Sequence, residues 1–215
     1  MCVACSALLC AGCLPHVMHG PRIEPDGLSG SLSLKLGHNQ EIGEPVNFVP
    51  SLYGGLRQSF VSRSGEGPAL SVGVQVPFFV VALVTDYEGP DAMTVATSTS
   101  YVDVYVQPRR KRAPGFETGI GVLTSSAIAA PYVQIGRIDD DGGGWYTTQV
   151  VGFSISDDLA SGVLYMPSVV LRTPASDSGS AANFSAGLGF GFDDNGGTDR
   201  LFTLGVTIEL GLGGS

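Results

Sequence analysis

The stretch from Phe202 to Leu212 reads FTLGVTIELGL, and every second residue in it is large and apolar. Side chains alternate across a β-strand with a period of two, so such a run has one apolar face and one unlike it. The pattern recurs at Phe184, Ala186, Leu188, Phe190 and Phe192, and again at Leu70, Val72, Val74, Val76, Phe78 and Val80. Leu32, Leu34 and Leu36 repeat it, as do Phe116, Ile120 and Val122. The runs fall at about 30–37, 46–61, 69–83, 93–107, 115–125, 130–138, 145–156, 162–172, 181–192 and 201–212. Between them lie SRSGEGP, DYEGPD, DDDGGG, SDDLASG and DDNGGTD. Gly, Asp, Asn and Ser tolerate positive φ and favour hairpins. No helical period follows residue 15. The expected fold is all-β, an antiparallel meander of about ten strands.

Which face points inward decides the class. The second face is Gly, Ser and Thr with single polar residues: Lys35, Arg57, Gln75, Glu117, Gln149 and Glu209. Charged residues are only 14% of the chain, against about 25% for an ordinary soluble domain. So sparse a face makes a poor solvated skin but suits the crowded inside of a small barrel. The continuous apolar face then suits lipid. Runs of 8–12 residues match the roughly 9–11 that a tilted strand needs to cross a bilayer.

On these residues, 30–212 resembles the small bacterial outer-membrane β-barrels of eight to twelve strands. The resemblance rests on pattern rather than on a motif. It implies a passive, non-enzymatic barrel: a structural element, a narrow pore or a platform for loops. The chain departs from the family at its end, LGLGGS, where such barrels carry an aromatic residue. Pro50, Pro77, Pro131 and Pro167 inside the runs suggest edges, bulges or register breaks. The alternative is a lipid-tethered β-sandwich, with the apolar faces as its core and a partner subunit on its Ser/Thr faces.

All four cysteines lie among the first thirteen residues, as two CxxC pairs. Four residues between the pairs is too close for a zinc ribbon, even with His16, Met18 and His19 nearby. Residues 2–14 are instead a short apolar run of signal-peptide length. Leu9-Cys10-Ala11-Gly12-Cys13 resembles the lipobox of bacterial lipoproteins, which implies lipidation at Cys13. Cys10 departs from that motif, and no Lys or Arg precedes Arg22. Removal of this segment leaves a body without thiols, as an oxidising compartment favours. The expected organisation is a signal segment at 1–13, a proline-rich tether at 14–29 and a barrel at 30–215, exported to the outer membrane.

Sites of chemistry are few. His38 with Glu41 or Glu44 has the residue types of the outer-membrane hydrolases, but no nucleophile motif accompanies it. Asp139-Asp140-Asp141-Gly142 and Asp193-Asp194-Asn195-Gly196 hold clustered oxygens without the spaced calcium-loop pattern, and read as acidic turns. Arg109, Arg110, Lys111 and Arg112 form a basic cluster on a chain of net charge -9. It is a solvated turn, or a contact for lipid phosphates or an acidic envelope protein. Tyr101 and Tyr105, which flank Asp103, and Trp145-Tyr146 suit an interfacial girdle or strand packing. No cofactor or metal is expected. The acidic balance argues against nucleic acid as a partner. Membrane lipid and a protein of the cell envelope remain.

Overall fold

The computed structural model describes residues 15–23, 27–39, 47–61, 67–77, 100–110, 115–126, 128–154, 162–176, 179–193 and 198–212. Ten strands follow in chain order: β1 (Gly27–Asn39), β2 (Asn47–Val61), β3 (Gly67–Pro77), β4 (Tyr101–Arg110) and β5 (Gly115–Thr124), then β6 (Ile128–Ile138), β7 (Gly144–Ser154), β8 (Gly162–Arg172), β9 (Ala181–Asp193) and β10 (Thr198–Gly211). Each pairs antiparallel with its neighbours in sequence, and β1 pairs with β10 to close the barrel. The closing ladder runs from Ser29 opposite Gly211 to Asn39 opposite Leu201. Closure removes the free edges that an open sheet would expose. The sandwich alternative is thereby set aside: there is one closed sheet, not two packed ones.

The alternation in sequence becomes an alternation between outside and lumen. In β3 and β5 exposed and buried residues follow each other strictly. Leu32, Leu34, Val74, Ile120, Ile135, Phe184, Leu204 and Ile208 are exposed. Ser33, Lys35, Ser71, Gln75, Glu117 and Gln134 are buried. The barrel is therefore inverted relative to a water-soluble one: its outside is apolar, and its inside holds the polar side chains together with a cluster of tyrosines and aliphatic residues that includes Leu123, Val150, Met166 and Leu201. The apolar row from Phe202 to Leu212 extends about 33 Å along its strand at about 3.3 Å per residue. Tilted by about 40°, it covers about 25 Å of the barrel axis.

Some faces differ from expectation. Gln149 belongs to the outer face of β7, where Tyr165 donates a hydrogen bond to it; Thr148 and Val150 face inward instead. Tyr101 and Tyr105 are fully buried in the lumen, so they form no outer girdle. Trp145 does face outward, and packs edge-on against Phe116.

Of the six prolines within strands, Pro50, Pro77, Pro131 and Pro167 shift no register. Pro131 stands opposite Val122, and the β6–β7 ladder only skips it, resuming at Tyr132 opposite Val150 in the same register. Pro167 stands opposite Gln149 and is likewise skipped on its β9 side. Each ring nitrogen points where the ladder lacks a bond, and the neighbouring pairs hold the alignment. The irregularity in the β3–β4 ladder falls between Gly67 and Ala69, around Pro68.

The turn between β6 and β7 uses the acidic run as hairpin chemistry. Gly142 takes φ 79°, and its N–H donates to Asp139 O at 3.0 Å. Gly143 N–H donates to the Asp141 carboxylate at 2.9 Å, and Arg137 pairs with Asp139 at 3.3 Å. Asp193 ends β9, while 194–196 lie outside the described residues.

Candidate functional site

A segment of the chain itself occupies the lumen. Residues 15–23 belong to the stretch read as a tether, yet Pro15, Met18, His19, Gly20, Pro21 and Ile23 are buried inside the barrel. Three prolines within 14–29 give the segment neither a helical nor a strand period. Its backbone groups are satisfied instead by side chains that reach in from the wall. Gln134 Nε2 donates to His19 O at 2.7 Å, and Tyr146 donates to the same oxygen at 3.3 Å. Tyr105 donates to Pro21 O at 2.9 Å, and Ile23 N–H donates to Gln107 Oε1 at 2.9 Å.

The side chains of the segment anchor it further. Arg22 donates from Nε and Nη2 to Glu117 Oε1 at 3.2 and 3.1 Å, and from Nη1 to Asp139 O at 3.3 Å. Gln107 holds the other oxygen of Glu117. His19 donates from Nδ1 to Gly20 O at 2.7 Å, which places a proton on that nitrogen. Its Nε2 lies 2.8 Å from Tyr132 Oη and 3.2 Å from Asp103 Oδ2. Tyr132 donates to Asp103 Oδ1 at 2.7 Å, and Arg57 pairs with Oδ2. Farther in, His16 Nε2 meets Ser33 Oγ at 3.0 Å and Thr207 Oγ1 at 3.4 Å.

Two glycines shape this seat. A Cβ on Gly119 would lie 2.0 Å from Tyr105 Oη, and one on Gly121 would lie 2.2 Å from Tyr132 Cζ. Each tyrosine lies flat over a glycine of the next strand, and the two rings stack 5.8 Å apart. His19 meets Tyr105 edge-on at 4.6 Å. Gly121→Ala must displace Tyr132 and with it the Asp103 and His19 contacts. The expected cost is about 1–3 kcal/mol, read as a lower urea midpoint in detergent micelles. An unchanged midpoint would show that the ring moves freely and is no part of the seat.

Among the described residues the charges of the lumen are paired with one exception. Arg22 faces Glu117, Arg57 faces Asp103, and Arg172 faces Glu209 at 2.7 Å. Lys35, 4% exposed, faces no carboxylate among the described residues.

The sites read from sequence fall elsewhere. Cys13 lies outside the described residues, as do Lys111 and Arg112; Arg109 and Arg110 end β4, and their side chains are not described. His38 lies near the end of β1 with its side chain not described, and Glu41 and Glu44 lie outside the described residues. Among the described residues no three metal-ligating side chains gather. Sequence reading missed His16, His19 and Arg22. The available signal was the set of single polar residues on the inner face, each of which needs a partner once buried.

No protein-family model matches this chain, and no curated protein matches it. Among solved structures, it is similar to the crystal structure of Ail, the attachment invasion locus protein of Yersinia pestis. The similarity covers 86% of this chain and 99% of that one, at 8% sequence identity and a TM-score of 0.28. A likeness that low carries no argument about function. The class is set by the geometry itself: a closed ten-stranded antiparallel barrel, apolar outside, with polar and aromatic side chains inside and a segment of its own chain in the lumen.

Proposed function

We propose that this chain is an exported, non-enzymatic outer-membrane β-barrel, closed by its own residues 15–23. It serves as a structural element and a platform for its loops rather than as a narrow pore. One observation supports this reading above the others: an apolar band on the outside, about 25 Å tall, wraps a lumen occupied by a hydrogen-bonded segment. Water would have to cover that band in a soluble protein, at a cost of about 25 cal/mol per Å². The connection at 78–100 joins β3 to β4 at the end of the barrel away from Gly27 and Gly211. Membrane barrels carry their longer loops outside and their short turns in the periplasm, so that end is assigned to the exterior.

The test is conductance in planar bilayers. The whole protein is expected to give no stepped current. His19→Ala/Arg22→Ala, which removes two of the side-chain anchors of the segment, is expected to give resolvable openings. Steady conductance by the unaltered protein would replace this reading with the narrow pore.

Lipidation at Cys13 is part of the proposal. Only about 7 Å of extended chain separates Cys13 from the seated Pro15, so its acyl chains would have to reach lipid close to the lumen. Incorporation of labelled palmitate that Cys13→Ala abolishes would support it; no incorporation removes the lipid anchor. The run Arg109 to Arg112 follows β4 at the end where the chain enters and leaves the barrel. We assign it to lipid phosphates or an acidic envelope protein. A photo-crosslinker at position 110 tests this, and the absence of any lipid or protein adduct would return the run to a solvated turn.

A further inference from the structure

We propose that the lumen binds one small monatomic anion, of the chloride class, against Lys35. The ammonium group is buried in the barrel and no carboxylate among the described residues faces it, whereas Arg22, Arg57 and Arg172 each have one. An uncompensated buried charge is strongly unfavourable, and proteins neutralise it with a counter-charge. We assign the counter-charge to a solvent anion, because the space beside Lys35 is lined by hydroxyls and an imidazole and by no carboxylate.

The place for it is a cavity of about 30 Å³ between the segment and the wall. Lys35, His16, Thr148, Ser168, Ser185 and Thr203 line it. These are an ammonium, an imidazole and four hydroxyls, and none of them carries negative charge. Thr148 Oγ1 already accepts from Gln134 Nε2 at 3.3 Å, which leaves its own proton to donate. A water-sized particle needs about 10–15 Å³ by this measure. The cavity thus has room for a halide with one or two waters beside it.

The segment forms one side of the site through Pro15, His16 and Val17. A bound anion then stabilises the seated segment over the released one, because only the seated form completes the cavity.

The probes are bromide and chloride on the whole folded protein. Crystals soaked in sodium bromide are expected to show an anomalous peak beside Lys35; its absence would overturn the proposal. In detergent micelles the urea midpoint is expected to rise with sodium chloride, and to stay lower in sodium gluconate of equal ionic strength, whose bulky anion does not fit beside Lys35. Lys35→Met is expected to abolish the difference between the salts. An equal response in both salts, or a chloride response that survives in Lys35→Met, would mean screening or an adventitious ion only. Should Lys35→Met fail to fold, line broadening of the chloride-35 resonance by the unaltered protein, reversed by bromide competition, decides the matter. No broadening would count against the site.

Discussion

Replacing Asp103 by alanine is expected to destabilise the barrel by about 3–5 kcal/mol, the cost of removing one partner from a buried ion pair. Asp103 is 1% exposed and gathers Arg57, Tyr132 and His19 onto one carboxylate. Its loss leaves the Arg57 guanidinium in the lumen without a counter-charge. It also leaves the Tyr132 hydroxyl without its acceptor, beside the ring that seats the segment. The measurement is a urea titration in detergent micelles, with resistance to unfolding in cold dodecyl sulfate as a second readout. Asp103→Leu combined with Arg57→Leu should recover most of the loss, because a matched apolar pair leaves no charge stranded. A double variant as unstable as Asp103→Ala would show that packing, rather than the unpaired charge, sets the cost.

The second large effect is expected on the outside. Ile120 is 58% exposed at the middle of β5, between Val106 of β4 and Val133 of β6, which are also exposed. If that band faces hydrocarbon, Ile120→Arg should cost about 2–4 kcal/mol in lipid vesicles, as charged residues do near a bilayer midplane. In water the same change would be close to neutral, since Ile120 buries little there. Folding into vesicles at increasing urea measures the difference. A variant as stable as the unaltered barrel would argue that no lipid covers this face, and would count against the membrane reading as a whole. The two variants probe opposite sides of the same wall, so their effects should add.

The strands were legible because alternation is a local property. Each residue of FTLGVTIELGL reports its face through its neighbours, and β5 to β10 begin and end within a few residues of the expected runs. Where both faces mix, the reading failed. In WYTTQVVGF neither face of β7 is uniformly apolar, and Gln149 was placed on the wrong one. The prolines misled for a related reason. A proline lacks one ladder bond, but in a closed barrel the strand stays aligned by its other partner.

The lumenal segment left no comparable trace. His19 is held by Gln134 and Tyr146, and Arg22 by Glu117, across separations of about a hundred residues. No window of sequence contains both members of such a contact. Proline-rich composition looks the same in a tether as in a rigid strip threaded through a barrel.

The sequence by itself determined where strands form and that each has two unlike faces, because steric alternation along the backbone depends only on adjacent residues. Only the tertiary structure decided that β1 meets β10, that the polar face turns inward, that residues 15–23 lie in the space it encloses and that no carboxylate among the described residues faces Lys35 there. Those outcomes follow from which charges and hydroxyls meet once the sheet has closed, and closure joins residues at opposite ends of the chain.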